Sequence, residues 1–197
     1  MTRIAVLGGH GKTGRAVCAA LSARGARPVP LGRADGDDLP GAVRGCDAAY
    51  LIAPNLHPDE PAYVATVLAA LQDAGVGRVV YHSVASPYVP AMPHHLGKAR
   101  SEDAVRRSGL AWTVLQPGAY LQNLDLTGPV RVPYDPHASF GFLDLADLGT
   151  AAAEADVTVE RNDDPATHPW LSAMFAYYDR HGLPVGTLPL RALLGRR

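Results

Sequence analysis

Most of what this 197-residue chain lacks narrows what it can be. Two cysteines, Cys18 and Cys46, cannot form a disulfide framework. Neither sign of charge dominates. Eighteen Lys and Arg stand against 19 Asp and Glu, a formal net charge of −1, which removes the electrostatic case for nucleic acid or an anionic membrane as partner. No apolar run approaches the roughly 18 residues of a membrane span. Met1-Thr2-Arg3-Ile4 leads straight into an apolar run with no signal-peptide pattern, so a cytoplasmic location is expected. Repeats and low-complexity tracts are absent. The adjacent His94 and His95 do not have helical metal-ligand spacing, and no metal is expected. With 47% hydrophobic and 19% charged residues, the chain reads as a single globular domain large enough for a proper core.

What is present is concentrated in the first thirty-three residues. An apolar strand (Ile4 to Leu7) runs into Gly8-Gly9-His10-Gly11-Lys12-Thr13-Gly14 and then an amphipathic helix with Thr13, Val17 and Leu21 on one face, closed by Gly25. Gly8, Gly11 and Gly14 each suit a dinucleotide site. Gly8 allows a sharp turn off the strand and Gly11 a close approach of backbone to a pyrophosphate. Gly14 lets the helix pack near the sheet with its N-terminal amides toward the phosphates. A glycine turn alone would also suit an ordinary strand-to-helix corner; its place between strand and helix favours a dinucleotide. The second strand, Pro28 to Leu31, ends in Gly32-Arg33 with no acid before Asp35. An arginine there suits a 2′-phosphate, where an acid would suit a free ribose hydroxyl. Arg33 and Lys12 therefore point to NADP(H), a solvated surface charge being the alternative for each.

Strand and helix signals continue to alternate. Asp47–Ala53 reads as a buried strand. Asp59 caps a helix whose Val64, Val67, Leu68 and Leu71 share a face, with Gly75 as its stop. Arg78–His82 and Trp112–Leu115 read as strands on either side of a helix from about His94 to Arg107. This rhythm predicts an α/β fold, a doubly wound parallel sheet of Rossmann-like type that binds ligands at the carboxyl ends of its strands. Gly128–Ser139, with three prolines, is expected as loop or edge, Phe140–Leu143 as a short strand, and Asp144 as the cap of a helix to about Ala155. Residues 157–167 read as a linker. A last helix carries Leu171, Met174, Phe175 and Tyr178 as a core-packing stripe. On this reading 1–155 is the cofactor-binding core and 156–197 a linker with C-terminal helices.

With IAVLGGHGKTG, GCDAAYLIAPN, RVVYHSVAS, HHLGKARSEDAVRRSGLAWTVLQPGAYLQNL and FLDLADLG in family order over roughly residues 3–155, the chain resembles the NmrA-like branch of the atypical short-chain dehydrogenase/reductase superfamily. HPWLSAMFAYYDRHGLP resembles the closing piece of such proteins. The resemblance implies a nearly complete cofactor half and a reduced C-terminal substrate lobe, left open or closed by a second subunit in a homodimer.

The wider superfamily uses Tyr-x-x-x-Lys; here His94 stands four residues before Lys98, so the tyrosine is absent. The resemblance makes Lys98 the leading catalytic candidate, as general base or as a ribose-binding cation without proton transfer. It makes His94 either an acid/base group or an ordinary helix-start residue. Ser83 and Ser86 lie where relatives place a substrate-polarising hydroxyl. Asn55 is expected on the cofactor's backbone side, and Gln116-Pro117-Gly118, with Asn123 on the next turn, beside the nicotinamide. Asp144 and Asp147 read as helix caps. Three functions follow. The first is an NADPH-dependent oxidoreductase for a small apolar or aromatic carbonyl, quinone or enone. The second is a non-redox cyclase, isomerase or dehydratase on the same scaffold, and the third an NADP(H)-sensing regulatory binding protein.

Overall fold

Short aliphatic runs alternate with helices along the first 116 residues. In the computed structural model, which describes residues 1–145, 159–161 and 168–181, the elements are β1 (Arg3–Leu7), α1 (Lys12–Ala23), β2 (Arg27–Leu31), a 3-10 turn (Arg33–Asp38), α2 (Leu39–Val43), β3 (Ala48–Leu51), α3 (Glu60–Asp73), β4 (Arg78–His82), α4 (Pro93–Arg107) and β5 (Ala111–Leu115). The strands form one parallel sheet in the order β2-β1-β3-β4-β5, in register Val6↔Pro30, Val6↔Tyr50, Tyr50↔Val80 and Val80↔Thr113. The α/β doubly wound architecture expected from the sequence is therefore the one observed. Chain direction across the sheet reverses between β1 and β3, the switch point at which such sheets bind ligands.

Because the strands are covered on both faces, they read as continuous apolar runs. Ala5, Leu7, Ala49, Leu51, Val79 and Tyr81 face one side, where they pack with Val43 of α2, Val64, Val67, Leu68 and Leu71 of α3 and Val105 of α4. Val6 and Tyr50 face the other, against Val17 of α1. β2 carries Pro28 and Pro30 without penalty because it is an edge strand. The helix ends follow the sequence signals. Asp59 accepts from the Ala62 amide at 3.1 Å, and α1 stops at Gly25, whose φ of +79° allows Ala26 N to reach Leu21 O at 3.1 Å.

The chain forms two compact units: Met1–Tyr88 with His94–Gln116, and Val89–Pro93 with the described residues from Pro117 onward. In the second, β6 (Ala119–Tyr120) and β7 (Val130–Val132) pair in parallel with β8 (Phe142–Leu143) and β9 (Val159–Arg161) respectively, and α5 spans Pro169–His181. An aromatic cluster organises this unit. Tyr134 stacks on Phe140 at 4.4 Å, and Tyr178 meets both edge-on at 5.7 and 5.2 Å, so the α5 stripe does pack internally.

β7 occupies part of the proline-rich stretch between Pro129 and Pro133 as the edge strand expected there. One local expectation was met differently. β9 lies in the expected linker, where the alternating Val157-Thr158-Val159 is a strand signal masked by the polar residues that follow. Arg33–Asp38, on which the sequence carried no expectation, form a 3-10 turn fixed by Gly32 N donating to Asp35 Oδ2 at 2.7 Å. Most of the helix expected from Asp144 to Ala155 lies outside the described residues.

Candidate cofactor and catalytic site

β1 ends at Leu7, beside the switch point, and the chain turns on Gly8 with φ +75°. The turn is tight because Gly8, Gly9 and Gly14 carry no side chains. A Cβ on Gly8 would stand 2.8 Å from Ile52 O and one on Gly9 2.7 Å from Pro30 Cα, and one on Gly14 would collide with the Gly8 carbonyl oxygen. Gly11 differs. It is the extended N-cap of α1, exposed, with no side-chain cap, and a Cβ there would meet nothing nearer than Gly8 O at 3.3 Å. The N-terminus of a 12-residue helix, with no acidic residue in its first turn, thus opens outward from a backbone cup. Such a terminus carries partial positive charge and amide donors without intrahelical partners, the requirements of a phosphate site.

Around the cup, Lys12 is exposed and Thr13 half-buried on the first turn of α1. Arg33 is exposed at the end of the neighbouring β2, and the nearest acid, Asp35, has its carboxylate engaged by Gly32 N. Asn55 is exposed in the turn leaving β3. These residues fit a dinucleotide whose 2′-position is phosphorylated.

The second half of the site is made of side chains. The buried residues of α4 are His94, His95, Lys98, Ser101, Glu102 and Val105, one apolar residue among six. Lys98 Nζ pairs with Glu60 Oε1 at 2.7 Å, with side-chain exposures of 8% and 1%. It also donates to the main-chain oxygen of His82 at 3.2 Å and lies 5.4 Å from the Tyr81 ring centroid. Tyr81 donates to the same Glu60 oxygen at 2.6 Å. Burial, then the Glu60 charge and hydrogen bond, push the Tyr81 phenol well above its ordinary range. On the opposite sheet face, the Tyr50 hydroxyl and His82 Nδ1 are 2.8 Å apart. Burial, aided by the Lys98 charge, lowers the His82 imidazole to about 4, so it is neutral at physiological pH.

One turn beyond Lys98, Glu102 is fully buried and collects four donors: Ser83 Oγ at 2.5 Å, Gln116 Nε2 at 2.8 Å, an Arg106 guanidinium nitrogen at 2.8 Å and Tyr88 Oη at 3.0 Å. Burial alone would raise its carboxyl, but the donors outweigh it and hold the group below its ordinary value. Ser83 therefore spends its proton on Glu102. His94 is buried with its ring 6.1 Å from that of His95, and His95 Nδ1 lies 3.1 Å from Ser86 O.

The structure thus gathers Gly8, Gly11, Lys12, Thr13 and Gly14 in one turn, with Arg33 and Asn55 at the exits of the flanking strands. Lys98 and Ser83 lie at the exit of β4, with His94 one turn before Lys98 on α4. β1 and β4 are separated only by β3, so the two groups share the carboxyl edge of the sheet, two strand spacings or about 10 Å apart. Pro117 opens the second unit, where Tyr120 and Asn123 flank a 3-10 turn and Asp144 accepts from Gln122 at 2.9 Å. Asp147 lies outside the described residues. Sequence reasoning missed Glu60, Tyr81, His82 and Glu102. The available signal was α4 itself, whose Lys98 and Glu102 share with Val105 a face too polar for simple packing. No cluster of metal-ligating side chains occurs among the described residues, and no described helix is long and apolar enough to cross a membrane.

The chain belongs to the NAD(P)H-binding family, whose model matches residues 22–155. It is 33% identical over 106 residues to the NAD(P)H azoreductase of Xenophilus azovorans; the match covers 53% of this chain and 36% of the relative, about a third of that protein's length. Among solved structures, NmrA, a negative transcriptional regulator, superposes with a TM-score of 0.72 at 18% identity, covering 99% of this chain and 88% of NmrA. The NADPH-dependent quinone oxidoreductase of Escherichia coli, solved with NADPH, gives 0.66 at 17% identity, covering 98% and 95%. At these identities the structural likeness is one of fold. The NmrA-like resemblance is borne out as a likeness of fold, and the NADP(H) expected from the sequence is borne out at the level of NAD(P)H.

Proposed function

We propose that this chain is an NADPH-dependent reductase of small planar acceptors, a quinone, an enone or another aromatic carbonyl, with azo compounds added by the azoreductase relative. The observation that carries the reading is the pairing, on one sheet edge, of an uncapped glycine cup with a buried, ion-paired lysine. When bound, the dinucleotide supplies the hydride. The first-turn amides of α1, from Lys12 to Gly14, would receive its phosphates, Arg33 and Lys12 the 2′-phosphate, and Asn55 a sugar edge. Lys98 orients the nicotinamide end through its ammonium, and His94 is the proton donor to the reduced acceptor. Ser83, whose proton goes to Glu102, meets a substrate as a hydrogen-bond acceptor and not as a carbonyl-polarising donor.

One observation favours keeping the sensor reading beside this one: with Lys98 tied to Glu60, the site has no uncommitted lysine base. Two assays separate them. Nicotinamide fluorescence should report NADPH binding in the micromolar range or tighter and NADH binding at least about tenfold weaker, the gap closing in Arg33→Ser. Loss of NADPH absorbance with 2-methyl-1,4-naphthoquinone should then reveal turnover. Binding without turnover across quinone, enone and azo probes favours the sensor; no binding of either cofactor at millimolar concentration sinks both.

A further inference from the structure

The two buried carboxylates beside α4 are treated very differently. Glu102 is saturated by four donors from four residues, as a carboxylate kept for structure should be. Glu60 is not. Both of its partners, Lys98 Nζ at 2.7 Å and Tyr81 Oη at 2.6 Å, share one oxygen. The other, Oε2, is buried with no hydrogen-bond partner among the described residues. Taking both charges of such a pair out of water offsets much of their attraction, and an unsatisfied carboxylate oxygen tilts the balance further against stability. A carboxylate held on those terms is better explained by what it does to its partner.

What it does is fix Lys98. The ammonium is pinned between Glu60, at the first turn of α3 beyond the exit of β3, and the main-chain oxygen of His82, the last residue of β4. The contact with His82 O puts the ammonium at the carboxyl edge of the sheet, which also bears the glycine cup. We infer that Glu60 is a positioning residue: it ties and aims the Lys98 side chain, so that Lys98 binds the nicotinamide end of the cofactor as a hydrogen-bond donor and does not serve as the proton-accepting base. This rests on the cofactor reading above, and it settles between the two roles that Lys98 could have.

The chain has only two lysines, Lys12 and Lys98, which makes the test clean. The cofactor-free wild type, Glu60→Gln and Tyr81→Phe are treated with an amine-reactive acylating reagent, and modification at each lysine is read by peptide mass spectrometry. NADPH affinity and the steady-state constants with 2-methyl-1,4-naphthoquinone are measured in parallel. In the wild type, Lys12 should be modified and Lys98 protected. Glu60→Gln should release Lys98 to modification, weaken NADPH binding and raise KM for NADPH about tenfold, and lower kcat by much less. Tyr81→Phe, which keeps the ion pair, should fold and give a smaller change in the same direction. Lys98 modified as fast as Lys12 in the wild type would overturn the inference. So would a Glu60→Gln protein with wild-type Lys98 protection and NADPH affinity, or one whose loss falls on kcat with KM held. Failure of the wild type to bind NADPH would instead remove the cofactor reading, while the labelling, done without cofactor, would still report whether Glu60 holds Lys98.

Discussion

The two halves of the site are built on opposite principles. The cup between β1 and α1 is made by leaving side chains out: Gly8, Gly9 and Gly14 sit where a Cβ would strike backbone, and Gly11 leaves the helix amides open. The seam under α4 is made by putting charge in: Glu60, Lys98 and Glu102 lie buried where apolar residues would pack more cheaply. The first depends on backbone geometry and the second on a closed set of polar partners. They should therefore fail differently, the cup losing ligand at small cost in stability and the seam losing stability together with ligand.

The largest effect should come from opening the seam on one side. Lys98→Met leaves the Glu60 charge buried without a counter-ion, and loss of about 3–5 kcal/mol is expected in urea denaturation. If the midpoint hardly moves, the pair is not dry and the contrast collapses.

The cup can be broken in two separable ways. Gly14→Ala adds a methyl group that collides with the Gly8 carbonyl, and should cost about 1–3 kcal/mol along with NADPH binding. Gly11→Ser supplies a good N-cap residue whose Cβ would crowd only Gly8 O, at 3.3 Å, so stability should stay within about 1 kcal/mol of wild type. NADPH affinity should nonetheless drop about tenfold, because the new hydroxyl occupies the approach to the amides. Equal losses of stability in the two variants would show that the cup is merely a corner of the fold.

A further effect is a pH slope carried by His82 and Glu102. His82 has its folded-state value lowered from 6.5 to about 4, so between those values the unfolded chain takes up a proton that the folded protein refuses. Its stability is complete above the upper value and declines as pH falls toward the lower. Glu102, also lowered, adds stability present above 4.5 and lost as pH drops through its folded value. Both terms act in the same direction, so the melting temperature should fall on acidification, and His82→Gln should flatten the upper part of that fall.

The same contrast explains what could be read from the sequence. Glycine spacing announces itself, because Gly8, Gly14 and Gly25 stand at positions that only backbone geometry explains, and apolar runs alternating with helices pointed to the sheet. Asp59 as a cap was legible for the same local reason. Glu60, its neighbour, was hidden by that very legibility: an acid in the first turn of a helix needs no further account. Its partner is 38 positions along the chain, and nothing local links the two. Glu102 was closer to view, four residues after Lys98, but its remaining donors Ser83, Tyr88 and Gln116 come from the exits of β4 and β5 and converge only when the sheet forms. Side-chain networks of this kind are properties of topology, which a linear pattern does not carry.

Pro28 and Pro30 in the outermost strand carry a consequence for self-association. Arg27 N points inward to Thr2 O, so the alternation of the strand turns residues 28 and 30 outward, and both are prolines. That border of the sheet exposes carbonyl oxygens but no N–H at those two positions. A neighbouring chain trying to dock there as an added strand would find acceptors without donors, a guard against edge-to-edge polymerisation. Any pairing of two copies through sheet extension is thereby steered away from β2 and toward the opposite border, β5.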